Sequence, residues 1–310
     1  ECPMPLIIRK PVTLAAVLAV SLTAPLAPVQ AAPVTVPTAT GEAQIETTPD
    51  TVAVFDIAAV DTISALGVEI AGVPNSLYLN RLNDVAQNAT VVGTLFEPDF
   101  EALANLNPDL IIAGGRSSAQ VEALSRLAPT LDMTITPDGY VDQIRARTTA
   151  YGEIFGKQAE ADALLAQLDE KLTAARNAVA DQGNALIILT NGGNISTYGK
   201  GSRFGWLHSA LGLPEAVENV DQTQAHGESV SFEFIAEANP DWLLVVDRGA
   251  AIGQAGEAAQ ATLDNALVAG TNAAQNGHIV YLDPAEIYVA GGGISAAMHT
   301  LDQITDAFGS

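Results

Sequence analysis

The chain has 310 residues, 48% of them apolar, so it is long enough for two domains that each bury a sizeable core. Asp and Glu outnumber Lys and Arg by 36 to 13, which gives a net charge of −23 at neutral pH. A nucleic-acid-binding protein needs a basic face for the phosphate backbone, so this charge argues against that class.

The N-terminal segment has the pattern of a secretory signal peptide. Arg9 and Lys10 precede an apolar run from Val12 to Val29, and a small-residue site follows at Ala31. A basic region, a short apolar region and a site of small residues are the three parts of such a peptide. We therefore expect residues 1–31 to be removed on export to the periplasm.

Cys2 is the only cysteine, and it precedes the apolar run. A lipid-bearing cysteine would have to follow that run, so we expect no lipid anchor. The exported chain would also lack disulfides and thiolate metal sites. Residues 32–49 are rich in Thr, Pro, Ala and Gly and show no periodicity, so we expect them to form a linker.

Short strands and helices alternate from about residue 50. The β-branched run at 51–55 predicts a buried strand, and Asp56 is placed to cap a helix that ends near Leu66. Further elements are expected in the same alternation: strands near 68–71, 91–93 and 110–113, and helices from about 100 to 106 and from Ser117 or Ser118 to about Leu127. This order predicts an α/β lobe at 50–140 with a largely parallel sheet.

Residues 141–180 have a different pattern. Apolar residues recur there mostly at spacings of three, four or seven, which is typical of an amphipathic helix. Gly152 and Gly156 each weaken the pattern by about 1 kcal/mol relative to alanine. We expect one long connecting helix, since about forty residues at about 1.5 Å per residue span roughly 60 Å.

The α/β pattern resumes at 181–310 and predicts a second lobe. The expected elements are strands at 185–190, 242–246 and 279–282, and helices at 204–211, from Ser231 onward and at 294–308. One passage occurs once in each half. FEALANLNPDLIIA (Phe100–Ala113) and FEFIAEANPDWLLV (Phe232–Val245) share Phe-Glu, a helical turn, Asn-Pro-Asp and an apolar run. The likeness indicates a common helix-to-strand unit in the two lobes.

Positive charge is scarce, so its placement is informative. Six residues lie at polar helical positions and are expected to be solvated surface charges: Arg126, Arg145, Arg147, Lys157, Lys171 and Arg176. Three others, Arg116, Arg203 and Arg248, lie in glycine-containing loops, and two of these loops follow the strands of the repeated passages. In open α/β sheets ligands bind outside the carboxyl ends of the strands, and arginine suits oxyanions. The alternative is a local ion pair for each, such as Asp247 with Arg248.

The other motifs in the sequence say less about function. The glycine-rich stretch from Thr190 to Gly201 lacks the spacing and the Ser or Thr of a phosphate-binding loop. Neither a zinc-protease motif nor a serine nucleophile elbow is present, so an enzyme has no signal in the sequence. His226 lies in a glycine loop before the second repeated helix, where it could reach a cleft. Tyr288 precedes the last helix, where the ordinary role of a tyrosine is interfacial packing.

Three stretches carry a family resemblance: LTNGGNISTYGKGSRFGWLH (Leu189–His208), HGESVSFEFIAEANPDWLLVVDR (His226–Arg248) and EIYVAGGG (Glu286–Gly293). They resemble the ferric-catecholate branch of the periplasmic binding proteins that serve ABC importers of iron–siderophores. The likeness spans about residues 52–308. It implies the class III fold, in which two α/β lobes with central, mainly parallel sheets flanked by helices are joined by one long helix.

The resemblance also implies roles for individual residues. Arg116, Arg203 and Arg248 match the arginines around an anionic iron–catecholate centre. His226 and Tyr288 match residues that complete iron coordination when the siderophore offers only four donor atoms; imidazole and oxygen donors suit ferric iron. The implied protein is a monomer without an intrinsic cofactor, and its cargo is a ferric siderophore.

Glu101 and Glu233 gain a role from the same resemblance, which implies that one exposed glutamate on each lobe docks onto the two permease subunits. The alternative is two ordinary glutamates at helix starts, where the dipole favours them. Glu97 competes with Glu101 in the first lobe. Two other functions stay open: binding of another iron chelate, such as haem or a hydroxamate siderophore, and hydrolysis of such a ligand by an exported enzyme.

Overall fold

The computed structural model describes residues 33–221, 227–254, 256 and 258–309. The expected signal peptide at 1–31, Cys2 and His226 therefore lie outside the described residues. Residues 32–310 form one compact unit. Within the described ranges, no helix combines the length and the apolar character that crossing a membrane requires.

Strands and helices alternate along most of the described chain. The strands are β1 Val34–Thr38, β2 Gly41–Ile45, β3 Val52–Val54, β4 Gly72–Val73, β5 Thr90–Val91, β6 Leu110–Ala113, β7 Thr130–Asp132, β8 Ala185–Asn191, β9 Asn194–Tyr198, β10 Glu228–Val230, β11 Trp242–Asp247 and β12 Ile279–Tyr281. The helices are α1 Ile57–Ala65, α2 Asn83–Asn88, α3 Phe100–Leu106, α4 Val121–Leu124, α5 Tyr140–Phe155, α6 Gln158–Val179, α7 Trp206–Ser209, α8 Phe232–Ala238, α9 Arg248–Ala251, α10 Ala259–Leu263, α11 Ala266–Ala269, α12 Asn272–Asn276 and α13 Ile294–Phe308. Short segments of other helix types are 3₁₀ at Asn80–Leu82 and Gly115–Gln120, and π at Ala285–Val289.

The first sheet has five parallel strands in the order β5-β4-β3-β6-β7. Ala53 pairs with Ile111, and Val54 pairs with Ile112. Successive side chains point to opposite faces, so the first pair packs in one core and the second pair in another. Because both faces are covered, these strands are continuous apolar runs, which is why their sequences predict buried strands.

The second sheet has the order β10-β9-β8-β11-β12. Strands β8, β11 and β12 run parallel, whereas β9 is antiparallel to both of its neighbours. One face packs in its own core around Ile188 and Val245. The other face, with Ile187 and Leu244, joins the first sheet and helices α5, α6 and α13 in one continuous core. The two sheets are therefore held together by shared apolar packing.

The single helix expected at 141–180 is two helices in the structure. Helix α5 ends at Phe155, the capping residue Gly156 has a left-handed φ of 65°, and α6 begins at Gln158. Glycine adopts that conformation without strain, so it ends a helix readily. A Cβ on Gly152 would lie 2.7 Å from the Cβ of Ala161, so glycine also permits the close approach of α6 to α5.

The segment expected to be a linker forms a β-hairpin over most of its length. Strands β1 and β2 pair antiparallel from Val34 opposite Ile45 to Thr38 opposite Gly41. Val36 is fully buried in the main core, and Ile45 nearly so. Val, Ile and Thr favour strands, and two buried side chains are enough to fix the hairpin against the core. The expectation of an unstructured linker is therefore wrong for these residues.

The expectation that Arg147 on α5 is a solvated surface charge is also wrong. Its guanidinium is buried and donates to the carbonyl oxygens of Pro37 at 2.5 Å, Thr134 at 3.1 Å and Met133 at 3.2 Å. Helical spacing places this residue on a polar face, but the hairpin covers that face. Only the tertiary structure reveals the burial.

The two repeated passages fold alike. Helices α3 and α8 are capped by the side chains of Asp99 and Ser231. Each ends at an asparagine in the left-handed conformation, Asn107 with φ 52° and Asn239 with φ 40°. Asparagine tolerates this conformation, and the proline that follows cannot continue the helix.

Both helices begin at the edge of their sheet where the parallel strands end. Strands β5 and β6 run parallel in the first sheet, with β4 and β3 between them, so α3 must run back from the carboxyl end of β5 to the start of β6. Strand β10 runs in the same direction as β11, because two antiparallel pairings separate it from β8. Helix α8 therefore runs back in the same way, and Glu101 and Glu233 lie toward the carboxyl edges.

Candidate functional site

A cavity of about 600 Å³ lies at the carboxyl edges of the two sheets. Three arginines and a tyrosine line it: Arg116 after β6, Arg203 between β9 and α7, Arg248 after β11, and Tyr288 in the π-helical turn. The structure thus brings together four of the five ligand-binding residues expected from the sequence. The fifth, His226, lies outside the described residues.

Arg116 reaches across the cavity from the first half of the chain. Its guanidinium donates to the carbonyl oxygens of Tyr288 at 2.8 Å and Val289 at 3.4 Å. The loop that carries it is tightly packed, since a Cβ on Gly114 would lie 3.1 Å from a carboxylate oxygen of Asp56. Glycine there lets the loop lie against the neighbouring strand end.

Arg203 approaches the same carbonyl group from the second half. It donates to the Tyr288 carbonyl oxygen at 2.8 Å, and its guanidinium lies 4.5 Å from the Tyr288 ring centroid and 4.9 Å from that of Phe204. The loop turns tightly, because a Cβ on Gly205 would lie 2.2 Å from the Lys200 carbonyl oxygen. Aromatic faces attract guanidinium groups and hold this one in place.

Arg248 binds the other end of the tyrosine. Its Nε donates to the phenolic oxygen of Tyr288 at 3.2 Å, and its Nη1 donates to the side-chain oxygen of Asn191 at 3.2 Å. The neighbouring Asp247 instead accepts from the backbone N–H groups of Ala250 and Ala259, each at 2.9 Å. The alternative of a local Asp247–Arg248 ion pair therefore does not occur in the structure.

The three arginines form a concentrated positive charge. Within the described part of the chain, none of them makes an ion pair with a carboxylate. Burial lowers the pKa of the Arg116 guanidinium, and the charge of Arg203 lowers it further. An anion among them would offset this repulsion, by about 3 kcal/mol for each pair of unit charges about 5 Å apart at an effective dielectric constant of about 20.

The charges of the three arginines also affect the pKa of the Tyr288 phenol. Burial by itself would raise the pKa of its phenol, but the hydrogen bond from Arg248 and the charges of Arg203, Arg248 and Arg116 outweigh it and bring the pKa below its ordinary value. The phenolate is therefore more accessible than in a free tyrosine. Tyr288 lies in a π-helical turn, and such turns are frequent at functional sites.

A buried ionic network anchors the π-helical turn. Arg81, from the first half, pairs with Glu286 in the turn and with Asp61 on α1. Asp61 also accepts from the backbone N–H groups of Ser295 at 2.9 Å and Ala296 at 3.0 Å, in the first turn of α13. Such a network fixes the turn that carries Tyr288 relative to the first sheet.

Sequence reasoning did not identify several cavity residues. Asp56, half-buried, is the one carboxylate among the described residues that line the cavity, and burial raises its pKa to about 6 against the charge of Arg116. Tyr140 and Tyr198 also line it, and burial raises the pKa of Tyr198 to about 12. Phe96, at the rim, is 58% exposed. In the sequence Asp56 has the pattern of a helix cap, and its place just after β3 is the one signal for a position in the cavity wall.

The two candidate docking residues are both exposed. Glu101 lies in the first turn of α3 and Glu233 in the first turn of α8. Both therefore lie on the same side of the protein as the cavity arginines, at the carboxyl edges of the sheets. Glu97 is also exposed and precedes α3.

Comparison with known proteins gives consistent matches. A family model described as periplasmic binding protein matches residues 52–286. The petrobactin-binding protein YclQ of Bacillus subtilis is 35% identical over 264 residues, which cover 83% of this chain and 82% of that protein. The ferric-anguibactin-binding protein FatB of Vibrio anguillarum is 30% identical over 277 residues, 87% and 86% of the two chains.

Solved structures agree with these matches. The crystal structure of YclQ superimposes with a TM-score of 0.84 at 33% identity and covers 90% of this chain and 99% of that one. The periplasmic catecholate-siderophore binding protein VctP of Vibrio cholerae gives a TM-score of 0.82 at 30% identity, with 88% and 99% covered. These matches span both sheets and the helices between them, and the chain therefore belongs to the periplasmic binding protein family, with the class III fold.

Proposed function

We propose that this protein captures an anionic ferric siderophore of the catecholate type in the cavity and delivers it to an ABC importer for iron uptake. One observation carries the proposal: three arginines from loops of both sheets converge on one cavity and have no carboxylate partner among the described residues. A ferric tris-catecholate is a trianion, and three guanidinium groups match its charge with directed donors.

The relatives support the choice of ligand class. YclQ is named for petrobactin, FatB for ferric anguibactin and VctP for catecholate siderophores. We infer that Tyr288 and His226 complete the coordination of iron when the chelate supplies four donors. The lowered pKa of the Tyr288 phenol favours that role.

Delivery requires a second surface. We infer that Glu101 and Glu233 bind the two permease subunits, because both are exposed at the edges where the cavity opens. Paired charges at an interface set orientation and rate of encounter more than affinity. The protein would act as an exported monomer in the periplasm.

Tryptophan fluorescence tests the capture step. Trp206 is buried and stacks on Tyr140, with ring centroids 5.6 Å apart, and Tyr140 lines the cavity. A coloured ferric catecholate in the cavity should quench its emission at low micromolar concentration. Absence of quenching would contradict the proposal.

Ferric hydroxamates, ferric citrate and haem serve as comparison ligands, and tighter binding of one of these would reassign the ligand class. A change in the ligand over time would indicate an exported hydrolase.

A further inference from the structure

Asp56 is an acidic residue in the wall of a cavity that we propose binds an anion. It follows β3, lines the cavity and is the one acidic residue among the described lining residues. The charge of Arg116 acts on it, yet the two do not form an ion pair within the described residues. Its carboxyl group has a pKa of about 6, so it is ionised at neutral pH. A negative group in the wall repels an anionic chelate.

Helix capping explains the side chain, and the dipole of α1 favours a negative charge there without requiring one. Asp56 accepts from the backbone N–H of Ala58, at the long distance of 3.4 Å, as the cap of α1. Asn and Ser cap helices about as well and carry no charge. The charge of Asp56 is half-buried and forms no ion pair within the described residues, so only the helix dipole, backbone N–H groups and the charge of Arg116 offset its cost. A cationic ligand group on the cavity side would offset it further.

The surroundings indicate which ligand group would meet it. The charges of Arg203 and Asp56 both act on Tyr140, so the cavity wall offers cationic donors and one anionic acceptor to the same ligand. A chelate with anionic oxygens around the metal and a protonated amine in its scaffold would match both kinds of group. A ligand that presented only negative charge would be disfavoured at Asp56, which is a basis for discrimination.

Resting on the proposed function, we propose that Asp56 is a specificity-determining residue that selects ferric chelates carrying a protonated amine or a similar cationic donor in the scaffold that joins their catechol groups. The carboxylate would accept a charge-assisted hydrogen bond from that donor. The three arginines would hold the iron–catecholate end of the same molecule.

Two matched ferric chelates test the proposal. One is the bis-catecholamide of spermidine acylated on both primary amines, whose central secondary amine is protonated. The other is the bis-catecholamide of the unbranched eight-carbon diamine, in which a methylene group replaces that amine. Dissociation constants are measured by Trp206 quenching at pH 7.5. We expect the wild-type protein to prefer the amine-bearing chelate by about tenfold, a typical value for one charged hydrogen bond.

The variants D56N and D56S keep a capping side chain and remove the charge. Both are expected to lose the preference, chiefly by binding the amine-free chelate more tightly and the amine-bearing one less tightly. D132N is the matched control: Asp132 is another carboxylate at a strand end, but it is buried, accepts hydrogen bonds from Thr134 and does not line the cavity. We expect D132N to keep the preference.

The outcomes separate this inference from the proposed function. If both chelates bind and the ratio of their dissociation constants is the same in wild type and D56N, Asp56 does not select the ligand, whereas capture itself stands. If D132N changes the ratio as much as D56N does, the preference between the chelates depends on remote charge and not on contact with Asp56. The assignment to Asp56 then fails. If neither chelate binds any form of the protein, this inference fails, and a ferric tris-catecholate is then titrated under the same conditions: quenching by it leaves capture standing, and absence of quenching contradicts the proposed function as well.

Discussion

Arg248 donates a hydrogen bond from Nε to the phenolic oxygen of Tyr288 at 3.2 Å, while Arg116 and Arg203 both donate to the carbonyl oxygen of the same tyrosine. One residue thus holds all three cavity arginines, at its two polar ends. Any ligand anion must compete with Tyr288 for these donors or share them with it.

Replacing Tyr288 tests its role in coordination. We expect Y288F to weaken binding of a tetradentate ferric bis-catecholate by about tenfold or more, since a coordinating oxygen is lost, and to change binding of a hexadentate tris-catecholate by less than about threefold. Fluorescence titration gives the affinities, and the absorbance of the iron–phenolate band reports coordination directly. H226A should give the same pattern. Equal losses for the two chelates would contradict iron ligation.

Replacing each arginine tests the charge match. We expect R116Q, R203Q and R248Q each to lower affinity for a ferric tris-catecholate by about tenfold or more, because each removes a charge-assisted donor. The dependence of affinity on salt should fall in each variant. R126Q is the control, since Arg126 is exposed and pairs with Glu122 on the surface. An affinity unchanged in all three cavity variants would exclude the proposed site.

Charge reversal tests the docking residues. In vesicles that contain the permease, we expect the double variant E101R/E233R to lower siderophore uptake by about tenfold or more while its affinity for the ligand stays unchanged, because the changes lie outside the cavity. E97R is the matched control, with the same change at the neighbouring exposed glutamate. Loss of uptake in E97R together with normal uptake in E101R would move the contact to Glu97.

The pKa of Asp56 predicts a dependence of stability on pH. The folded chain raises that pKa from the ordinary 3.8 to about 6, chiefly by burial. Below pH 3.8 the carboxyl is protonated in both states. Between 3.8 and about 6 only the folded state holds the proton, so stability falls as the pH rises, by about 3 kcal/mol in total.

D56N removes this titration and keeps the cap. In denaturant titrations of ligand-free protein, we expect D56N to exceed wild type in free energy of unfolding by up to about 3 kcal/mol at pH 7.5, and the difference to shrink toward zero near pH 4. Because the substitution removes only this carboxyl group, the pH dependence of the difference reports chiefly on Asp56. A difference that does not vary with pH would mean that its pKa is close to the ordinary value.

The sequence was most informative where local chemistry decides the structure. Helices α3 and α8 were predictable because each has a cap, an amphipathic turn and Asn-Pro at its end. The arginines were predictable because glycine loops after buried strands mark the ligand edge of an α/β sheet.

The remaining features depend on contacts between distant parts of the chain. Arg147 has the helical spacing of a surface residue, yet carbonyl groups of Pro37, Met133 and Thr134 surround its guanidinium. Asp56 shows a capping pattern, which conceals its place in the cavity wall. Gly156 weakens the pattern of one long helix, but whether a glycine ends a helix depends on the packing around it.

Helix α3 runs back from the carboxyl edge of the first sheet, and α8 does so in the second, so Glu101 and Glu233 share a side with the mouth of the cavity. A permease bound at both glutamates would cover that mouth. While the protein is docked, the ligand could not then exchange between the cavity and the surrounding solution. The protein would bind its ligand only while free and release it only while docked. Each encounter would transfer at most one chelate, and protein that docks empty would block the transporter until it leaves.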